Sequence, residues 1–172
     1  GQIRYHREGI SFSDGSLVLT VDDNATVGAN PDPCSHAEHK EVDSKDLISG
    51  ELRTRLHLFR YGRYEARIKG PSPDPGDPTV NGNYITAFFV FRNPKFQEWR
   101  EIDVELTGDS PGALTTNLLY GDGQAQWSAG LQQVDSHDLQ FNARTDFHEY
   151  AFEWLPDSVT WYVDGQQIRQ YT

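Results

Sequence analysis

The sequence predicts an all-β fold, a sandwich of antiparallel sheets, from three observations. Short segments of alternating apolar and polar residues run from one end of the chain to the other. Glycine, proline and asparagine turn signals separate these segments, and no stretch shows convincing 3.6-residue periodicity. Aromatic residues make up 12% of the 172 residues, a share that suits a strand-rich core or a surface that stacks on sugars. A chain of this length is enough for one domain.

The first predicted element is a hairpin. Residues 10–12 and 17–21 alternate as strands around Ser13-Asp14-Gly15-Ser16, a turn signal because glycine adopts positive φ without steric cost. Further along, residues 70–78 contain four prolines. Proline lacks the N–H that a β-ladder needs, so this segment is predicted to be an exposed loop.

The remaining strands follow the same period of two. The most apolar segment, residues 84–91, is eight residues long and suits a strand that is buried on both faces. The other strands are predicted at residues 51–58, 63–69, 99–106, 114–119, 150–154 and 159–163. The last of these ends at an Asp164-Gly165 turn signal.

The most informative strand is acidic. Side chains alternate between the two faces of a strand, so Glu101, Asp103 and Glu105 share one face. Ile102 and Val104 share the other face and are predicted to enter the core. Neighbouring carboxylates resist ionising together, which raises the pKa of at least one of them. One ionised and one protonated carboxyl is the arrangement that glycoside hydrolysis needs.

The spacing of the carboxyls leaves alternatives open. On an extended strand the Cα atoms of Glu101 and Glu105 are ~13 Å apart, at ~3.3 Å per residue. A retaining mechanism brings its two carboxyls to about 5–5.5 Å, so strand curvature and inward-leaning side chains would have to close the gap. The alternatives are a solvated strand edge whose charges discourage aggregation, and a calcium site built from clustered oxygens.

Several motifs, in order along nearly the whole chain, resemble glycoside hydrolase family 16. They are SGELRT at 49–54, YGRYEAR at 61–67, FF at 88–89, WREIDVE at 99–105, FHEYAFEW at 147–154 and VTWYVDG at 159–165. The resemblance implies a β-jelly roll, in which two curved antiparallel sheets hold the glycan in a concave groove. It also implies a retaining mechanism in which Glu101 is the nucleophile, Asp103 the assisting acid and Glu105 the general acid/base.

The acidic motif also indicates a branch of the family. Its Glu-x-Asp-x-Glu spacing lacks the extra residue that bulges this strand in the laminarinase and agarase-like branches. The chain is therefore similar to the lichenase, xyloglucan and fungal cell-wall transglycosylase branches, with lichenases the best match. That similarity implies sugar contacts from the aromatic residues Phe89, Phe91 and Trp99 and from the polar residues Glu51, Arg53 and Asn117. Arg100 departs from the family, whose members commonly carry an acidic residue there.

Two of these assignments have structural alternatives. Alternation places Phe89 and Phe91 on one face and Phe88 on the other, so one set fills the core, and we expect Phe88 there. Arg53 lies two residues from Glu51 on the same face of a predicted strand. An ion pair between these two is as strong an expectation as a sugar contact.

Composition and charge limit the partners. The 15 Lys and Arg residues against 26 Asp and Glu residues give a net charge of −11, which disfavours nucleic acid, anionic membranes and anionic polymers. No apolar run approaches the ~18 residues of a membrane span. Neutral polysaccharide remains, and we expect a monomer.

Metal and cofactor signals are weak. Cys34, His36 and His39 have the residue types of a zinc site, but they lack its usual spacing and a fourth ligand nearby, so no metal ligand is predicted. No cofactor is required by the expected mechanism. A structural calcium, which some relatives hold on the convex side, is compatible with the sequence.

Taken with the resemblance, the sequence is that expected of a secreted retaining endo-β-glucanase acting on mixed-linkage β-1,3-1,4-glucan. Two alternatives are a cell-wall glucan or xyloglucan transglycosylase, which would use the same covalent intermediate, and a non-catalytic carbohydrate-binding module. Retention of all three carboxylates favours an enzyme over the module. Family members continue beyond the position of Thr172, so residues 1–172 are expected to form one family 16-like sandwich domain that lacks terminal strands.

Overall fold

The structure, a computed structural model, describes residues 3–5, 7–23, 47–55, 59–72, 84–92, 98–122 and 132–172. Within these ranges the regular elements are strands and one 3-10 turn at Arg7–Gly9. The strands are β1 (Ile3–Tyr5), β2 (Ile10–Ser13), β3 (Ser16–Leu19), β4 (Val21–Asp23), β5 (Leu47–Ser49), β6 (Gly62–Ile68), β7 (Ile85–Arg92), β8 (Glu98–Thr107), β9 (Ala113–Asp122), β10 (Gln132–Asp138), β11 (His148–Leu155), β12 (Ser158–Val163) and β13 (Gln166–Tyr171). In the described ranges, no helix is long and apolar enough to cross a membrane.

The chain divides into two compact units, Gly1–Leu58 and Phe59–Thr172. The first contains the β2–β3 hairpin and a three-stranded sheet in the order β1-β5-β4. In that sheet β1 and β5 run parallel, whereas β4 and β5 run antiparallel. The predicted hairpin is confirmed: Asp14 and Gly15 have φ of 50° and 75°, the positive values that a type I′ turn needs. The expectation of one domain over the whole chain stays a prediction.

One strand prediction in this unit is wrong. Residues 51–55 of the strand expected at 51–58 form no strand, and residues 56–58 lie outside the described part of the chain. The strand of this region is instead β5, which has a hydrogen-bonded partner on each side. Leu52, whose alternation with polar neighbours suggested the strand, is 63% exposed, so the burial that favours such alternation is absent.

The second unit holds a β-sandwich of two four-stranded antiparallel sheets, which confirms the predicted fold class. We call the sheet β10-β9-β8-β7 the acid sheet, because it carries the acidic strand, and the sheet β13-β12-β11-β6 the back sheet. Buried side chains from β8, β9, β11 and β12, together with Ala143 from the segment between β10 and β11, form the core between them. The members of this core are Ile102, Val104, Leu106, Leu114, Ala143, Tyr150, Phe152, Val159, Trp161 and Val163.

Alternation accounts for which residues enter this core. Phe88 packs against Phe152 of the back sheet with ring centres 5.4 Å apart, as expected for the core-facing phenylalanine. Tyr64 stacks on the same Phe152 ring at 5.1 Å. The back sheet ends in the β12–β13 hairpin, where Asp164 and Gly165 have φ of 47° and 76°. The Asp164-Gly165 turn signal is therefore confirmed.

Candidate active site

The acidic strand β8 lies inside the acid sheet, with β7 on one side and β9 on the other. Ile102 and Val104 are 4% and 2% exposed and pack in the core. Because successive side chains point to opposite faces, Glu101, Asp103 and Glu105 stand together on the outer face of this sheet. We call this the acid face. The predicted separation of apolar and acidic side chains is confirmed.

Each carboxyl has one neighbour on β7 and one on β9. The cross-strand sets are Phe91, Glu101 and Leu119; Phe89, Asp103 and Asn117; and Ala87, Glu105 and Thr115. Phe89 and Phe91 are half-buried, and their ring centres are 6.0 Å apart. The acid face therefore presents aromatic rings on the β7 side of the carboxyls and an amide and a hydroxyl on the β9 side. Apolar faces and hydroxyl groups of a sugar need those two kinds of contact.

Asp103 is the carboxyl most affected by its surroundings. Its side chain is 5% exposed, and burial is the largest cause that raises its pKa, to about 8. The charges of Glu101 and Glu105, and a hydrogen bond with Glu101, raise this pKa further. At neutral pH Asp103 therefore keeps its proton and donates it in the hydrogen bond to Glu101. That bond favours the ionised form of Glu101, the form a nucleophile needs.

The pKa of Glu105 is shifted in the same direction as that of Asp103, and burial is the main cause for both. Glu105 is half-buried, and burial raises the pKa of its carboxyl above the ordinary value. A raised pKa favours the protonated form, which can donate to a leaving oxygen, and Glu105 shares the acid face with Glu101 four residues away. A proton donor at Glu105 and a nucleophile at Glu101 would be the two roles that glycoside hydrolysis requires.

Asn117 is the polar group nearest to Asp103 on β9. Its side chain is 6% exposed, and its Oδ1 accepts no hydrogen bond from the described residues. A buried acceptor without a donor costs roughly 1–3 kcal/mol. A sugar hydroxyl that donates to Oδ1 would remove that cost, which is consistent with the predicted sugar contact.

Three further predicted site residues are Glu51, Arg53 and Trp99. Glu51 and Arg53 belong to the unit Gly1–Leu58, where the Arg53 guanidinium bonds the Glu51 carboxylate. That hydrogen bond is the largest cause raising the pKa of Arg53. The ion pair expected between these two residues is therefore present, while their sugar contact stays a prediction. Trp99 lies on β8 opposite Gly121, and its side chain is outside what the structure describes.

The sequence predicted no metal ligand and was compatible with a structural calcium. Among the residues that the structure describes, no group of three or more His, Cys, Asp and Glu side chains could hold a metal ion. The segment that carries Cys34, His36 and His39 lies outside those residues. The structural calcium considered from the sequence stays a prediction.

Sequence reasoning missed the residues that lie behind the acid face. Trp161, fully buried on β12, donates its indole N–H to the carbonyl oxygen of Asp103 at 3.0 Å. Arg169 on β13 donates to the Thr116 hydroxyl at 2.9 Å and to the Thr116 carbonyl at 3.1 Å. The sequence did place the Trp161 indole on a predicted strand. A buried indole N–H usually needs an acceptor, so a hydrogen bond from Trp161 could have been expected. Arg169 gave no signal, since its polar strand was not predicted.

The sequence profile of Glycosyl hydrolases family 16 matches residues 2–172. A beta-glucanase of Acetivibrio thermocellus is 31% identical over 164 residues, which are 95% of this chain and 40% of that protein. A beta-glucanase of Bacillus amyloliquefaciens is 36% identical over 118 residues, which are 68% of this chain and 43% of that protein. The chain thus spans about two fifths of the length of these relatives.

Solved structures give the same relationship. A prokaryotic beta-1,3-1,4-glucanase (lichenase) derived from a mouse hindgut metagenome has a TM-score of 0.71 and 29% identity. The alignment covers 99% of this chain and 65% of that one. The Bacillus licheniformis beta-glucanase, at 23% identity, has a TM-score of 0.67 with 99% of this chain and 65% of that chain covered, and it shows the likeness of fold. The match over nearly the whole chain, with the acidic strand inside the sandwich, means that this chain belongs to glycosyl hydrolase family 16.

Proposed function

We propose that this chain is a retaining endo-β-glucanase. The observation that carries the proposal is the acid face, where a buried, protonated Asp103 stands between Glu101 and Glu105. The similar proteins from Acetivibrio thermocellus, Bacillus amyloliquefaciens and the mouse hindgut metagenome are glucanases, which supports the same activity. A transglycosylase and a binding module are not favoured by these relatives.

The three carboxyls have distinct roles in the proposed reaction. Glu101 attacks the anomeric carbon, and the bond between that carbon and the leaving oxygen breaks. Glu105 transfers its proton to the leaving oxygen. Glu105, now ionised, removes a proton from water, and the water oxygen attacks the same carbon. The bond to Glu101 then breaks, so both carboxyls return to their starting protonation. Asp103 donates its hydrogen bond to Glu101 before and after these steps.

The proposed substrate is mixed-linkage β-1,3-1,4-glucan. Support comes from the 29% identical lichenase and from the net charge of −11, which disfavours anionic polysaccharides. The aromatic rings of Phe89 and Phe91 suit the apolar faces of glucose units. Because such a polymer lies outside cells, we also propose that the protein is secreted.

Release of reducing sugar tests the proposal. Barley β-glucan, laminarin and xyloglucan are each incubated with the unchanged chain, with Glu101→Gln and with Glu153→Gln. Glu153 lies on β11 of the back sheet, so the same substitution there controls for a general loss of charge. We expect release from barley β-glucan, a loss of about a thousandfold or more in Glu101→Gln, and normal activity in Glu153→Gln. No release from any polymer by the unchanged chain would refute the proposal.

Stereochemistry tests the individual roles. An aryl β-glycoside with a good leaving group is hydrolysed in the presence of azide by Glu105→Ala and by Glu101→Ala. In Glu105→Ala the covalent intermediate still forms, and azide needs no general base, so a β-glycosyl azide is expected. In Glu101→Ala azide attacks the substrate directly, so an α-glycosyl azide is expected. The opposite assignment of products would exchange the two roles.

A further inference from the structure

One hydrogen bond joins the back sheet to the backbone of the acidic strand through the core. Trp161 is 0% exposed, and its Nε1 lies 3.0 Å from the carbonyl oxygen of Asp103. A carbonyl oxygen has two lone pairs, so it can accept this bond in addition to one within its own sheet. The indole therefore holds the Asp103 backbone from the core, on the side opposite to the carboxyl.

Arg169 connects that indole to the next strand of the acid sheet. Its guanidinium carbon lies 4.7 Å from the centre of the Trp161 ring. One of its nitrogens donates to the hydroxyl and carbonyl of Thr116, at 2.9 and 3.1 Å, and another donates to the carbonyl of Gln133 at 3.0 Å. Thr116 is fully buried and directly precedes Asn117 on β9. Charge-assisted hydrogen bonds at a partly buried site resist displacement, because breaking them leaves polar groups unpaired.

Movement of the backbone at Asp103 would affect all three carboxyls. Asp103 hydrogen-bonds Glu101, and its pKa responds to the charges of both Glu101 and Glu105. If the Asp103 backbone moved between the core and the acid face, the distances from the Asp103 carboxyl to Glu101 and to Glu105 would both change. The burial of the Asp103 carboxyl would change as well. Misplacement of catalytic groups by 1 Å can cost about a hundredfold in rate.

We propose that Trp161 is a positioning residue: its hydrogen bond sets the depth of Asp103 between Glu101 and Glu105, and Arg169 holds the indole in place. The effect on rate rests on the proposed glucanase function. The position of Asp103 does not, because the titration of its carboxyl can be measured without turnover.

The test compares two substitutions that each remove the polar group of a buried aromatic side chain. Trp161→Phe removes the indole N–H. Trp161→Phe also replaces the indole with a smaller ring, so a second variant below leaves the indole in place. Tyr150→Phe is the matched control, because Tyr150 is also 0% exposed and its hydroxyl has no hydrogen-bond partner among the described residues. Carboxyl ¹³C NMR follows the titration of Asp103 in each variant, and kinetics on barley β-glucan give kcat and KM separately.

In Trp161→Phe we expect the titration midpoint of Asp103 to fall from about 8 towards its ordinary value. The reason is that a strand released from the core exposes the carboxyl and loosens its contact with Glu101. The kcat is expected to fall by about tenfold with KM changed by less than about twofold, as for a loss of transition-state geometry alone. Tyr150→Phe should match the unchanged chain in all three quantities.

A second variant tests the same link without altering the core ring. Arg169→Lys keeps a cation but loses the paired donors, so the Asp103 midpoint should fall by a smaller amount in the same direction. An Asp103 midpoint that stays in place in both Trp161→Phe and Arg169→Lys overturns the positioning role. An inactive unchanged chain would instead overturn the proposed glucanase function, while the titrations would still decide the role of Trp161.

Discussion

Asp103 and Asn117 lie directly opposite each other on β8 and β9, and their side chains are only 5% and 6% exposed. The carboxyl keeps its proton because burial and two neighbouring carboxylates raise its pKa to about 8. The amide oxygen accepts no hydrogen bond from the described residues. Polar groups at this depth destabilise the fold unless they are paired, so their presence together is better explained by a bound ligand than by stability.

Asn117→Leu tests that explanation. Leucine has a similar volume and removes the unpaired acceptor, so the free energy of unfolding should stay constant or rise by up to about 1 kcal/mol. The kcat/KM on barley β-glucan should fall by roughly tenfold, because a hydrogen bond to the sugar is lost. Chemical denaturation and steady-state kinetics measure the two effects, with the exposed Gln170→Leu as control. Lower stability with unchanged kinetics would contradict the expected role.

Asp103→Asn should change how stability depends on pH. The unfolded carboxyl ionises near pH 4, whereas the folded one holds its proton up to about pH 8. Between these values the unfolded state binds fewer protons than the folded state, so the free energy of unfolding falls as pH rises. Asparagine cannot ionise, so from pH 4.5 to pH 8 the variant should lose at least about 1 kcal/mol less than the unchanged chain.

Urea denaturation at several pH values measures this difference. The exposed Asp109→Asn serves as control, because it removes an acidic group of the same kind from the connection between β8 and β9. Equal pH dependence in Asp103→Asn and the unchanged chain would mean that Asp103 ionises normally in the folded state.

Phe88→Ala and Phe89→Ala should differ although the residues are neighbours. Phe88 packs on Phe152 in the core, so its loss should lower the free energy of unfolding by about 3 kcal/mol. Phe89 lies beside Asp103 on the acid face, so its loss should raise KM for β-glucan by roughly tenfold with a smaller effect on stability. Thermal unfolding and kinetics distinguish the two variants. If Phe89→Ala had the same KM as the unchanged chain, Phe89 would not belong to the proposed binding surface.

Arg53→Gln tests the sugar contact implied by the family. An exposed ion pair contributes less than about 1 kcal/mol, so stability should hardly change when Glu51 loses its partner. If both residues bind sugar, KM should rise by about fivefold. Arg63→Gln is the matched control, since Arg63 also pairs with a glutamate two residues away, Glu65, on β6 of the back sheet. Equal KM in both variants would leave the ion pair as the whole role of Arg53.

The sequence predicted most strands of the sandwich, but not β10 or β13. Both are rich in polar residues, for example Gln132 to Asp138, and show no run of alternating apolar positions. β10 and β13 are positioned by backbone hydrogen bonds to β9 and β12, respectively. β9 and β12 were predicted because their apolar and polar residues alternate more clearly. The prediction of a strand at 51–58 was wrong for the opposite reason. The alternation of apolar and polar residues was present there, but the apolar side chain of Leu52 is exposed.

The sequence by itself determined which side chains share the acid face, because the alternation of a strand is a local property of its backbone. It also determined the Asp14-Gly15 and Asp164-Gly165 turns, since aspartate and glycine are among the residues that tolerate the positive φ these turns need. Only the tertiary structure decided that Asp103 retains its proton and that Trp161 holds its carbonyl. Burial and contacts between sheets arise where separate surfaces meet, and no single segment of sequence contains that information.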